Sequence, residues 1–503
     1  MFDPWSGESA PPAVPDGGAS AGAVSVSLRG NDLLIRPLDE AAPEQETQLR
    51  RRLVEAAGGE RLLYDRRLGA YRTVAGSYHA VRERLERDQY TVHADFEPFA
   101  ALPFGPSLAQ ALRPYQDEAL AAWEAAGRRG VVVLPTGAGK TLVALAAIAT
   151  CAVWTLVVVP TLDLLEQWRR AAIDNLGVPA EHVGTFGGGK RRLAPITIIT
   201  YDSAVLHTRA LNRFGLLVFD EVHHLPAAAN RRAADGALGP ARLGLTATLE
   251  RADGLERDLA RLVGPTVYSR TPQQLGGYLA PFQERRLIVR LDPVEAVAYR
   301  SAIQLYRDYI RRRRLRIESP EDFQRFILWP SANNAEARQA MLAHRRARTL
   351  AFNAAGKLRT VVQLLERHRD DRVLIFSEYN DVVEDLSRRL LIPSITHKTP
   401  AAERQAVLDG FRTGRFTKLA TGRVLNEGVD VPDANVAIVI SGSGTRREYV
   451  QRLGRILRPK AQTAVLYELV AEGTSEIYLH RRRHQESRRG AANGGPDGST
   501  DGS

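Results

Sequence analysis

Residues 131–141 read VVVLPTGAGKT: a run rich in β-branched residues enters a Gly-rich turn, and the apolar helical run TLVALAAIAT follows. Gly137 and Gly139 permit the tight backbone that aims successive N–H groups at phosphate oxygens, at a helix start where anions are favoured. In such a loop Lys140 reaches the β and γ phosphates of a nucleoside triphosphate, and Thr141 sets its hydroxyl on Mg²⁺. Leu134, Pro135, Thr136 and Ala138 complete the turn. The strict pattern has Gly where this chain has Leu134, but the phosphate-facing positions are intact. A chance turn between strand and helix is the alternative, and the sequence on either side weighs against it.

Downstream, WTLVVVP, ITIITY, LLVFDE and ARLGLTAT alternate with helical stretches. Strands that are apolar without polar alternation imply a parallel sheet covered on both faces, an α/β domain of RecA type over 108–270. LLVFD carries Asp220 and Glu221 out at its carboxyl end, where open α/β sheets bind ligands. Asp220 suits Mg²⁺ held through water, and Glu221 suits orienting and deprotonating an attacking water. In DEVHH, adjacent His223 and His224 diverge and have no thiolates nearby, which disfavours zinc. His223 reads instead as a sensor of the γ-phosphate. In LTATL, the hydroxyls of Thr246 and Thr248 can bridge the acidic pair to whatever the domain grips. Upstream, LRPYQ offers Gln116, whose amide matches an adenine edge, and Arg113, which can stack on the ring.

The chain of 503 residues has room for several cores. Its net charge of +11 favours a polyanionic partner such as nucleic acid, although the excess of Arg over Lys could equally be a compositional bias. A single cysteine, Cys151, rules out an internal disulfide framework and fits a reducing, cytoplasmic setting. No apolar run is long enough to span a membrane, and the N-terminus lacks the pattern of a signal peptide.

Residues 1–22, rich in Pro, Gly, Ala and Ser, are expected to be disordered, as is the basic, Gly-rich tail 485–503. Residues 23–100 read as a small α+β unit: two hairpins, two helices and a last strand, YTVHA. Its Arg and Tyr fit an accessory nucleic-acid-binding domain and a solubilised structural cap equally well. Pro103–Ser107 reads as a linker. Residues 295–350 read as helices with an Arg-rich surface, including Arg311, Arg312, Arg313 and Arg314. They could grip a phosphate backbone without reading sequence. The interleaved aromatics would then stack on bases, or else form the core of a helical hairpin. From 356 to 480 a second strand–helix alternation runs VLIFSEY, SITHK, KLATG, VAIVI, TAVLYELV, with no phosphate loop of its own. Such a domain would close over the nucleotide and supply charge to it.

The order LRPYQ, PTGAGKT, VVVPTLDLLEQW, DEVHH, LTATLERADG resembles superfamily 2 helicases and, more narrowly, the XPB family of DNA-repair helicases. Leu before the loop and DEVHH are traits of that family. The resemblance implies two RecA-like parallel-sheet domains, a small N-terminal α+β domain similar to damage-recognition domains, and a thumb-like helical insertion. It implies ATP and Mg²⁺, and single-stranded or forked DNA, with movement 3′ to 5′. In TRREYVQRLGRIL, Arg455 and Arg458 resemble paired arginine fingers, and Gln451 is expected at the γ-phosphate or the attacking water. Gly428 and Asp430 stand where the family contacts the ribose and couples it to DNA. Where the family carries Arg-Glu-Asp, this chain has Arg251-Ala252-Asp253, which counts against efficient duplex unwinding. Rival readings are a motor that follows duplex DNA without opening it, an RNA helicase, and an ATP-gated scaffold that recruits a nuclease or repair protein.

Overall fold

The computed structural model describes residues 22–38, 43–57, 62–96, 99–249, 251, 253–272, 274–276, 278, 282–317, 320–422, 434–441 and 463–477. Gly428, Asp430, Gln451, Arg455, Arg458 and Ala252 lie outside the described residues, as do both terminal segments apart from Gly22.

The N-terminal unit runs β1 (Gly22–Arg29), β2 (Asp32–Pro37), α1 (Pro43–Ala57), β3 (Leu63–Asp65), β4 (Ala70–Val74), α2 (Tyr78–Arg87) and β5 (Tyr90–Ala94). The sheet order is β3-β4-β2-β1-β5, with β5 parallel to β1. Alternation decides its face: Val24, Val26, Leu33 and Ile35 point inward and meet Leu49 and Leu53 of α1 and Val81 and Leu85 of α2. Gly30, at φ +69°, makes the two-residue turn between β1 and β2. That turn is seated on the next domain: Asn31 donates to Thr208 Oγ1 at 2.5 Å, and Asn212 donates to the Gly30 carbonyl at 3.4 Å.

The first lobe comprises α3 (Pro114–Ala125), β6 (Arg129–Val133), α4 (Lys140–Cys151), β7 (Thr155–Val159), α5 (Leu162–Leu176), β8 (Val183–Gly187) and β9 (Lys190–Arg191). It continues with β10 (Ile196–Thr200), α6 (Tyr201–Leu206), β11 (Leu216–Asp220), α7 (Arg231–Asp235), β12 (Ala241–Thr246), α8 (Leu259–Leu262) and β13 (Thr266–Ser269). The eight strands lie in the order β13-β6-β12-β11-β7-β10-β8-β9, parallel except for the β8–β9 pair. Every residue of β7, β10 and β11 is buried. One face packs on α3, α4 and α5 through Trp123, Leu145 and Trp168, and the other on Tyr201, Phe214 and Leu259. The near-continuous apolar strands follow from this two-sided cover.

The second lobe begins earlier than the expected 356. Strand β14 (Phe282–Val289) runs parallel to β19 (Ala464–Ala471) along its whole length, at the edge of the second sheet. Between β14 and the rest of that sheet come α9 (Pro293–Arg312), α10 (Pro320–Phe323), α11 (Ala335–Phe352) and α12 (Ala355–Arg367). Then follow β15 (Val373–Phe376), α13 (Asn380–Leu390), β16 (Ser394–Ile395), α14 (Ala401–Thr413), β17 (Lys418–Thr421) and β18 (Val436–Val439). The order is β14-β19-β18-β15-β17-β16, all parallel. The Arg-rich helices are therefore inserted inside the second lobe, not between the two. Ala337, Ala340, Ala343, Ala347 and Ala351, spaced three or four apart on α11, let α9 approach closely. The aromatics divide. Tyr309 is buried and Tyr306 packs on His344 with ring centroids 4.5 Å apart, forming hairpin core, whereas Trp329 is 67% exposed. Across the lobes, Arg404 Nη1 lies 3.4 Å from Asp163 Oδ2. Among the described residues no helix is long and apolar enough to cross a membrane.

Candidate active site

Three neighbouring strands of the first sheet, β6, β12 and β11, end on the same side, and each delivers one motif. Past β6 the chain enters the Gly-rich loop, where Gly137 at φ +85° and Gly139 at φ +76° hold left-handed conformations that a side chain would strain. A Cβ on Gly139 would also lie 2.4 Å from Gln116 Nε2. Lys140, first residue of α4, donates its ammonium to the Leu134 carbonyl at 3.1 Å and the Pro135 carbonyl at 3.5 Å. Those two carbonyls hold the ammonium against the loop itself. The Thr136 hydroxyl is buried and has no hydrogen-bond partner among the described residues. Loop, ammonium and orphaned hydroxyl together fit a bound triphosphate.

Asp220 ends β11, buried. Its carboxylate is pinned by two donors: the Trp168 indole to Oδ2 at 2.8 Å and the Glu221 backbone N–H to Oδ1 at 3.0 Å. Burial pushes its pKa up, and the Trp168 hydrogen bond, the Lys140 charge and the Glu221 N–H oppose that shift. Among the described residues no group of three or more His, Cys, Asp or Glu side chains could cage a metal. The donor set of Thr141 and Asp220 suits Mg²⁺, which prefers one or two carboxylates together with substrate phosphates to an all-protein cage.

Glu221 takes a left-handed backbone, φ +46° and ψ +54°, which costs a non-glycine residue about 1–2 kcal/mol. Such strain gathers at functional sites. From Glu221 a continuous polar chain leads inward. Its Oε2 lies 3.4 Å from His223 Nδ1, and Nδ1 lies 3.0 Å from Thr246 Oγ1. Thr246 Oγ1 also lies 2.7 Å from the Thr248 carbonyl, an arrangement satisfied when Thr246 donates there and accepts from a protonated His223 Nδ1. The expected coupling residues His223, Thr246 and Thr248 thus stand in one line, although the Thr248 hydroxyl itself has no partner among the described residues.

Gln116, expected at the adenine edge, lies between α3 and the phosphate loop. It is buried, its Oε1 accepts from the Arg113 N–H at 2.9 Å, and its Nε2 donates to the Ala138 carbonyl at 2.9 Å. The amide caps α3 and ties it to the phosphate loop, leaving one N–H to spare. Arg113 donates to the Tyr278 carbonyl at 3.0 Å. Two participants escaped the sequence reading. Trp168 closes the motif VVVPTLDLLEQW, which gives it no role of its own. Arg251, read as part of a strand-separating element, donates to the His223 carbonyl while Asp253 accepts from it at 2.8 and 2.6 Å. Of the arginines expected to hold nucleic acid, Arg311, Arg312, Arg313 and Arg314 are exposed at the far end of α9. The second-lobe residues Gln451, Arg455 and Arg458, with Gly428 and Asp430, fall outside the described residues.

Residues 110–251 match the family model for the type III restriction enzyme res subunit, and residues 332–486 match that of the ERCC3/RAD25/XPB C-terminal helicase. The DNA 3′-5′ translocase XPB2 of Sulfurisphaera tokodaii is 40% identical over 423 residues, 83% of this chain and 94% of that protein. The DNA 3′-5′ helicase XPB of Kineococcus radiotolerans is 35% identical over 390 residues, 74% of this chain and 62% of that protein. For the XPB helicase of Mycobacterium tuberculosis the figures are 34%, 74% and 63%, so the chain spans under two thirds of both bacterial relatives. The Hef helicase domain of Pyrococcus furiosus superposes with a TM-score of 0.53 at 18% identity, over 74% of this chain and 98% of that domain, which speaks for the fold alone. On the identity and coverage of the archaeal translocase, this chain belongs to the XPB family of superfamily 2 helicases and translocases.

Proposed function

We propose that the protein is an ATP-dependent DNA translocase that moves 3′ to 5′ and serves DNA repair. The observation that carries this reading is the junction of β6, β12 and β11, where a phosphate loop, an acidic pair and a hydroxyl relay end side by side. Lys140 and the loop from Leu134 to Thr141 bind the triphosphate, and Thr141 with Asp220 holds Mg²⁺. Mg²⁺ held there would neutralise phosphate charge. Glu221 orients water and takes its proton, and His223 passes the state of the site to Thr246 and Thr248. Arg455 and Arg458, with Gln451, complete the charge complement from the second lobe, while Asp430 and Gly428 serve the ribose and its link to DNA. Arg113 and Gln116 serve the adenine, and Gln116 also ties α3 to the phosphate loop. The domain limits 23–100, 108–270 and 295–350 belong to the same proposal.

Ala252 in place of an acid favours translocation over strand separation. The test is ATP hydrolysis at matched salt with single-stranded DNA, duplex DNA or RNA, together with displacement of a tailed duplex. Stimulation by DNA without displacement is expected. Stimulation by RNA alone refutes the DNA assignment. Glu221→Gln should lower turnover by roughly 10²–10⁴ while sparing ATP binding, as loss of a general base does. Hydrolysis unchanged in that variant would eliminate the mechanism and leave an ATP-gated scaffold for a nuclease or repair protein.

A further inference from the structure

The run Arg311–Arg314 looks uniform in sequence, and the structure divides it. Arg312 and Arg313 both reach the carboxylate of Glu336 on α11, at 3.0 and 2.7 Å. Arg311 and Arg314 instead line an open groove of about 640 Å³, together with Arg307 and Arg316. Arg311 has Asp308 at 3.3 Å; Arg307, Arg314 and Arg316 have no acidic partner among the described residues. Ile310, Leu315 and Ile317 form an apolar floor between them.

Arg314 occupies a position that its own backbone disfavours. Its φ is +51°, its N–H bonds the Arg311 carbonyl at 3.1 Å, and the Leu315 N–H bonds the Ile310 carbonyl at 3.0 Å. That is a complete Schellman ending to α9, including the accompanying apolar pair Leu315 and Ile310, and its left-handed position is the one glycine usually fills. An arginine there gives up stability and gains a charge over the groove. Positions that sacrifice stability in this way are characteristic of binding sites.

Four guanidinium groups around an apolar floor match a ligand with repeating anionic groups and flat apolar faces. Single-stranded nucleic acid has both, and a duplex hides the second. We propose that this groove is a single-strand subsite, with phosphates on Arg307, Arg311, Arg314 and Arg316 and bases against Ile310, Leu315 and Ile317. It rests on the DNA-translocase reading and narrows it: Arg312 and Arg313, committed to Glu336, are not the contacts.

The test compares two variants of the full chain that each remove two positive charges, Arg307→Gln/Arg316→Gln and Arg312→Gln/Arg313→Gln, with fluorescein-labelled oligothymidylate as probe. Each lost contact to a single strand should flatten the slope of log affinity against log salt by about 0.7, so the groove variant should lose about 1.4 and the Glu336-facing variant nothing. Arg314→Gly should weaken binding and at the same time keep or raise the unfolding temperature. Equal losses in the two double variants, or wild-type affinity in the groove variant, overturn the subsite. If the wild-type chain binds no oligothymidylate and its ATPase ignores DNA, the translocase reading falls and the groove falls with it.

Discussion

The Trp168 indole on α5 donates to Asp220 Oδ2 at 2.8 Å, joining the third helix of the first lobe to the carboxylate at the end of its central strand. With the Glu221 N–H on Oδ1, that bond leaves the carboxylate one orientation. Trp168→Phe removes the donor together with part of a buried ring. Because hydrogen bonds to charged groups contribute about 1.5–3 kcal/mol, the variant should lose stability of that order. On the proposed role of Asp220 at Mg²⁺, it should also require more Mg²⁺ for half-maximal ATPase. An unchanged Mg²⁺ dependence, measured by titration at saturating ATP, would mean that the indole merely fills space.

Lys357 and Glu476 form a buried pair in the second lobe, 2.7 Å apart, and Lys357 also donates to the Ile440 carbonyl at 2.8 Å. Burial pushes the lysine pKa down and that of the glutamate up, and their mutual attraction opposes both shifts. Removing one partner strands the other charge, so Glu476→Gln should cost about 3–5 kcal/mol. Lys357→Met/Glu476→Gln should recover most of it, because the amide can still accept from the Ala471 N–H, now bound to Glu476 Oε2 at 2.7 Å. Hydrogen exchange at the β18 and β19 amides reports the change where the pair sits.

How far the sequence foretells this molecule depends on the distance over which each feature is decided. LLVFD and VLIF are legible as strands because burial on both faces leaves a local apolar signature. β14 is not: FQERRLIV mixes polar and apolar residues at a sheet edge, and its partner β19 lies beyond the whole insertion. In the candidate site, Lys140, Asp220 and Glu221 follow from motif chemistry, whereas the Trp168–Asp220 bond joins residues 52 apart and has no local signal. Gln116 is the instructive case. Its residue type suggests an adenine contact, whereas its bonds to the Arg113 N–H and the Ala138 carbonyl depend on how the start of α3 meets the phosphate loop, which has no local signal.

His344 stands between the rings of Tyr306 and Phe323, at 4.5 and 5.1 Å, within the inserted hairpin. Burial first, and then the charge of Arg348, lower its pKa to about 4. An unfolded histidine titrates near 6.5, so between about 6.5 and 4 the unfolded chain holds a proton that the folded hairpin refuses. Stability should therefore fall as the pH drops through that window, by up to roughly 3 kcal/mol from this group. His344→Phe keeps an aromatic ring in the slot and removes the proton. Its hairpin should lose less protection than the wild type when hydrogen exchange is followed from neutral pH downward, and equal losses would place the acid sensitivity elsewhere.

Arg251 reaches from the loop after β12 to the His223 carbonyl, while the Asp253 carboxylate holds its other edge at 2.8 and 2.6 Å. Asp253 has its pKa lowered to about 2, chiefly by the Arg251 hydrogen bonds, so the pair stays ionised throughout the working range. The guanidinium thus touches the same residue whose ring lies between Glu221 and Thr246. Losing it should leave the phosphate loop and the acidic pair intact and loosen the histidine between them. Arg251→Ala is expected to retain basal hydrolysis and lose DNA stimulation. Coupling energies of about 0.5–2 kcal/mol per residue correspond to a roughly two- to thirtyfold loss. Arg251→Lys keeps the charge, cannot span the carbonyl and the carboxylate together, and should recover only part of the stimulation. A basal rate that falls in step with the stimulated one would instead make Arg251 a support of the hydrolytic site itself, so the ratio of the two rates decides the matter.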